Sequence, residues 1–214
     1  MLQKRIPITT HLVLVLLLAF AGHSAFARTF DEGIEYIPIA PPVSTNSGSK
    51  VEVVELFWYG CPHCFNFEPQ WEKWIASKPE NVEVVRIPAI FRDSWIPAAR
   101  AFYTAQFLGV LDRTHKPLFE AIHVKKQRFP DAQSFAKFFA KFGVAEKDFL
   151  DTYNSFAVDA KVRRAQDLTR RYQIDGVPTL VINGKYRTTG TIANGHDGML
   201  EVLDFVIKQE SAGK

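Results

Sequence analysis

The two cysteines of this chain stand in one short motif, Cys61-Pro62-His63-Cys64, at the point where an apolar run gives way to helical periodicity. Val51 to Tyr59 is dense in β-branched and aromatic residues and apolar enough for a buried central strand. Gly60 and Pro62 end that run, and Pro62 suits the first turn of a helix reaching about Ala76, with Phe65, Trp71 and Trp74 as packing residues. Val82 to Ile87 reads as the next strand. Strand, helix and strand within about 37 residues make a βαβ-sized unit, which favours parallel pairing and a right-handed crossover.

Four chemistries compete for a C-x-x-C. A zinc site normally needs four ligands, and there is no second C-x-x-C; His63 lies too close to serve as an assumed third ligand. Covalent haem attachment needs His directly after the second Cys, where this chain has Phe65. A permanent staple closing so small a loop gains only about 2 kcal/mol, and a chain with 18 Phe and 4 Trp has core enough without it. Redox exchange fits best. A helix N-terminus offers unpaired N–H groups and partial positive charge, so Cys61 is held as thiolate, while Cys64 lies one turn deeper on the same face. Cys61 is therefore the exchanging sulfur and Cys64 the less accessible one.

The N-terminus places this motif in an oxidising compartment. Lys4 and Arg5 precede the apolar run Leu12 to Ala21, and Ala25-Phe26-Ala27 supplies the small-x-small pattern of a signal-peptidase site, with cleavage after Ala27. About ten strongly apolar residues rise roughly 15 Å as a helix, half of a ~30 Å hydrocarbon core, which disfavours an anchor. Disulfides persist outside the cytosol. Of the +3 net charge, Lys4 and Arg5 account for two, so the remainder is nearly neutral and gives no electrostatic argument for nucleic acid or an anionic membrane surface.

Residues 28–50 read as an edge segment with a short strand at Tyr36 to Ile39, followed by a linker dense in turn formers. Between Trp95 and about Tyr172 strand signal is almost absent, and Phe135, Phe138, Phe139 and Phe142 recur on one helix face, as core rather than binding site. Asp131 can cap that helix and Gly143 can end it. Thr179 to Ile182, the turn Asn183-Gly184 and Lys185 to Thr188 form a hairpin, and Asp197 to Gln209 an amphipathic helix.

Cys-Pro-His-Cys after an apolar strand, a helical insertion, and Gly176-Val177-Pro178-Thr179 leading into Asn183-Gly184-Lys185-Tyr186 resemble the DsbA-type thiol:disulfide interchange proteins of the thioredoxin superfamily. The resemblance runs through essentially the whole chain after the leader. It implies an α/β thioredoxin fold, a central mixed sheet flanked by helices, with an inserted all-helical subdomain. On that scheme residues 1–27 are a signal peptide, 28–94 and 173–214 the two halves of the thioredoxin-like domain, and 95–172 the insert. The family's cis-proline maps onto Pro178, preceded by Val177, whose backbone can pair with an extended client segment. Glu55 lies in the apolar strand, where a carboxylate is costly unless it is at an edge or deliberately buried. The family has a buried acid there with a basic partner on the following strand, matched by Arg86, and Glu55 is the candidate for proton transfer at Cys64. His63, between the cysteines, can stabilise the Cys61 thiolate. Glu52 and Glu83 read as solvated, His115, His123 and His196 as surface or helix-end residues, and Arg163, Arg164, Arg170 and Arg171 as a solvated face.

Further expectations follow from the resemblance: a periplasmic monomer without cofactor, taking unfolded exported proteins with free thiols as clients and a membrane quinone-linked protein of the DsbB kind as reoxidant. The sequence has no G-x-G-x-x-G after a strand. A reductase or isomerase shares the fold, but residues 28–50 are too short for the dimerisation domain of the family's dimeric isomerases. A binding module or chaperone would keep its clients after Cys61→Ser replacement, whereas an oxidase would lose dithiol oxidation. Trp58-Tyr59-Gly60 and the Thr188-to-Gly198 loop depart from the family pattern.

Overall fold

The computed structural model describes residues 28–212; the expected leader, 1–27, lies outside them. The strand expected from Val51 is β2 (Val51–Phe57), buried along its whole length. It is buried because it is central: the sheet order is β1 (Ile37–Pro38), β5 (Tyr186–Thr189), β4 (Thr179–Ile182), β2, β3 (Val82–Pro88). β2 runs parallel to β3 and antiparallel to β4, so the sheet is mixed. In this register Glu55 sits beside Arg86 on one side and Leu180 on the other.

Strand alternation divides the core in two. Val51 and Val53 pack with Phe67, Trp71 and Trp74 of α1 (Pro62–Ser77) and with Val202, Leu203 and Val206 of α7 (His196–Ala212). Val54 and Leu56 pack on the other side, in a cluster with Phe102, Phe119 and Phe139. Those side chains come from α2 (Ile96–Phe107), α3 (Leu111–His123) and α4 (Ala132–Ala140), followed by α5 (Glu146–Tyr153) and α6 (Phe156–Arg171). The chain between β3 and β4 thus contributes only helices among the described residues, with one 3₁₀ turn at Asp93–Trp95.

Local signals act where expected. Asp131 accepts from the Ser134 N–H at 2.8 Å while Ser134 Oγ accepts from the Asp131 N–H, a reciprocal cap that starts α4. Phe135 stacks on Phe129 and Phe139 on Phe149, each at 4.7 Å. Asn183 and Gly184 both take left-handed φ, 52° and 66°, as the twist-matched hairpin turn requires. No helix among the described residues is long and apolar enough to cross a membrane.

Two expectations fail. The expected edge strand is present as β1, but the segment after it is not a loose linker. Phe30, Tyr36, Ile39 and Val43 are buried, and Ile39 and Val43 donate their N–H groups to Lys185 and Gly184 carbonyls at 2.6 and 2.9 Å. Glu52 is not solvated either. It is 6% exposed because the Asn46 N–H and the Ser47 hydroxyl, at 3.1 and 2.7 Å, replace water at one carboxylate oxygen. Glu83, paired with Lys50 at the surface, is the exposed one of the two.

Candidate active site

Cys61 is the N-cap of α1, with extended backbone (φ −86°, ψ 118°), and Pro62 opens the first turn. The turn before it is tight: the Cys61 N–H donates to the Trp58 carbonyl at 2.9 Å, and any Cβ on Gly60 would fall 2.3 Å from the Trp58 ring. Only glycine fits there without displacing Trp58, which lies flat on Trp95 at 4.2 Å. Cys61 is 7% exposed and Cys64 fully buried, so accessibility is ordered as the helix geometry requires, although even Cys61 presents little surface.

The two thiols are unbonded, and this dithiol state shows how charge is held. A hydrogen bond from the Cys64 thiol, joined by the Cys64 and His63 backbone N–H groups and the His63 imidazole, brings Cys61 down to about 6 against the cost of burial. Cys64 moves the other way, well above the ordinary thiol range, because it is buried and donates to Cys61. One sulfur is built to be a thiolate at neutral pH and the other to stay protonated.

Chain segments 116 residues apart close the site. In its thiol form Cys61 Sγ donates to the Val177 carbonyl at 3.3 Å, and the Val177–Pro178 peptide is cis. His63 is exposed and, with Val177, Pro178, Ile192 and His196, lines a groove of about 790 Å³ beside Cys61. His196 stands at the start of α7, as a helix-end residue, and its proton affinity is lowered by burial and by His63.

Beneath the dithiol lies a charged cluster. Glu55 is fully buried and accepts from Arg86 Nε at 2.9 Å, so the pair the resemblance implied is present. Burial drives Glu55 up to about 7, with Arg86 opposing and Glu68 adding to the rise. The same guanidinium donates to Glu68 at 3.3 Å and to Glu72. Burial and the Glu72 carboxyl raise Glu68 also to about 7 despite Arg86. Glu68 and Glu72 were not singled out from sequence, although Cys64, Glu68 and Glu72 recur every four residues along one face of α1.

His115 corrects a further expectation. It is 3% exposed in the middle of α3, enclosed by Phe57, Phe102 and Phe119, with Nδ1 2.7 Å from the Tyr59 hydroxyl. Burial, and secondarily Arg86, hold its protonation down to about 3, so it is neutral at physiological pH. His123 is at a helix end as expected, and there its Nε2 donates to the Tyr59 carbonyl at 2.8 Å. The four arginines Arg163, Arg164, Arg170 and Arg171 are exposed. Among the described residues no cluster of three His, Cys, Asp or Glu could hold a metal ion.

A mixed sheet with a C-x-x-C at a helix N-terminus, set against a cis-proline loop and interrupted by helices, defines a thioredoxin-fold disulfide oxidoreductase. The DSBA-like thioredoxin domain family matches residues 52–204, and this chain belongs to it. It is 40% identical over 205 residues to the thiol:disulfide interchange protein DsbA of Pseudomonas aeruginosa, covering 94% of this chain and 97% of the relative. The corresponding protein of Burkholderia cepacia is also 40% identical, over 207 residues and 97% of each chain. The crystal structure of Pseudomonas aeruginosa DsbA superposes with a TM-score of 0.82 at 41% identity, covering 86% of this chain and 96% of that one. Neisseria meningitidis DsbA1, at 26% identity and 86% and 95% coverage, gives 0.74.

Proposed function

We propose that this protein is a dithiol oxidase that donates the Cys61–Cys64 disulfide to unfolded exported proteins in the periplasm. A client thiolate attacks Cys61 Sγ, forming a mixed disulfide and releasing Cys64 as thiolate. The client's second thiolate then attacks the client sulfur of that bond and expels Cys61. The client leaves with one new disulfide, having passed two electrons to the protein. The observation that carries this reading is the split between the two sulfurs, Cys61 near 6 and the more accessible of the two, Cys64 raised and fully buried. A stabilised Cys61 thiolate favours the reduced protein and is a good leaving group in the second step.

Each remaining residue has a part. Cys64 leaves as a strong base and must take up a proton. Glu55, buried and half-protonated near neutrality, is the acid assigned to it, with Arg86 as its charge partner. Pro62 starts the helix, and His63 favours the thiolate. Val177 and Pro178 present the backbone on which an extended client segment docks. No cofactor takes part: the redox group is the disulfide itself. A membrane quinone-linked protein of the DsbB kind restores it, and the oxidase acts as a monomer.

The deciding measurement is the reduction potential of Cys61–Cys64 in glutathione buffers. A value well above the roughly −180 mV of protein disulfide isomerase is expected, and one near the roughly −270 mV of thioredoxin would overturn the oxidase reading in favour of a reductase.

A further inference from the structure

We propose that Tyr59 and His115 form a positioning pair that holds an uncharged N–H donor against Glu68 and so sets how tightly that carboxyl binds its proton. Tyr59 stands two residues before Cys61 and is 2% exposed. Its hydroxyl has His115 Nδ1 as partner at 2.7 Å. A buried O–H without an acceptor costs about 1–3 kcal/mol, so the hydroxyl donates and Nδ1 accepts. That fixes the proton of the neutral ring on Nε2. Nε2 lies 3.4 Å from Glu68 Oε1, which also accepts from Arg86, and both Nε2 and Glu68 Oε2 are buried atoms without a hydrogen bond, so the ring N–H acts on the carboxyl as a neighbouring dipole.

The surroundings explain why an uncharged donor matters here. Glu68 is faced by Glu72 on its own helix, by Glu55 from β2, by Arg86 from β3, and by Asp112 and Lys116 from α3 across a cleft of about 520 Å³. Arg86 is shared by three carboxylates and cannot keep all of them ionised at full strength. A second cation is disfavoured in the aromatic cage around His115. A neutral N–H donor favours the ionised form of the one carboxyl it reaches and leaves Glu55 the better proton carrier. Any consequence for turnover rests on the role proposed above for Glu55; the titration of Glu68 does not.

The test is a carbon-13 NMR titration of the glutamate carboxyls in the oxidised protein, with the Glu68 signal assigned through Glu68→Gln. His115→Phe, which keeps a ring in the cage but removes both nitrogens, is expected to raise the Glu68 midpoint by at least about half a pH unit, roughly threefold in proton affinity. Tyr59→Phe frees the choice of tautomer and moves it the same way by less. His115→Gln, able to accept from Tyr59 and donate to Glu68, restores the original midpoint. An unmoved midpoint in both Phe variants overturns the proposal, as does an equal shift with Gln and Phe, which would mark packing alone. If His115→Phe does not fold, Tyr59→Phe and His115→Gln decide the matter on the same criteria. The carboxyl signal reports whether or not the dithiol proves to be an oxidase, so the two readings fail separately.

Discussion

At the residue scale, Cys61 and the buried acids pull stability in opposite directions with pH. In the dithiol form Cys61 falls from about 9 unfolded to about 6 folded. Between those values the folded state binds fewer protons, so its stabilising effect is complete above about 9 and is lost as pH falls through 6. At pH 7 it is worth roughly 1.4 kcal/mol, and the oxidised form, having no thiol, lacks it. Glu55 and Glu68 rise from 4.5 to about 7, so the folded state binds more protons in that window and their contribution is lost as pH rises through it. Urea unfolding should therefore show the reduced form gaining on the oxidised form from pH 6 to 9, while the oxidised form weakens between 4.5 and 7. Parallel curves for the two redox states would contradict the thiolate assignment.

Among elements, the decisive contact joins β3 to α1. Arg86, 18% exposed, is the cation that Glu55, Glu68 and Glu72 share. Replacing it with Met keeps much of its bulk but leaves buried carboxylates without a counter-charge, for which about 3–5 kcal/mol is the ordinary cost. The loss should be largest at neutral pH and shrink below about 5, where Glu55 and Glu68 are protonated; thermal unfolding at pH 4.5 and 7.5 measures it. An equal loss at both values would make Arg86 a packing residue. Elements specified by local chemistry were legible beforehand. The Asp131 cap, the Asn183-Gly184 turn and the Pro62 helix start each depend on neighbours within a few positions. The acid pair on α1 was not, since i, i+4 glutamates on a helix usually face water.

For the whole molecule, the segment before β2 is structural. Phe30, Tyr36, Ile39 and Val43 are all buried, and β1 covers the edge of β5. At about 1.5–3 kcal/mol for each side chain, deleting residues 28–43 removes an amount comparable to the net stability of a domain. The truncated chain should show no cooperative melt by circular dichroism, and a melt within a few degrees of the full protein would refute this account. The sequence alone determined the redox motif, the βαβ start, the hairpin and the helical block, because these rest on spacing and turn chemistry written within short windows. It also carried the family resemblance, through motifs that lie far apart in the chain. Only the tertiary structure decided that Glu52 and His115 are buried, that Glu68 joins Glu55 at Arg86, and that Tyr59 reaches α3. Whether a polar side chain meets water or a partner depends on which distant segments fold against it, and no local pattern records that.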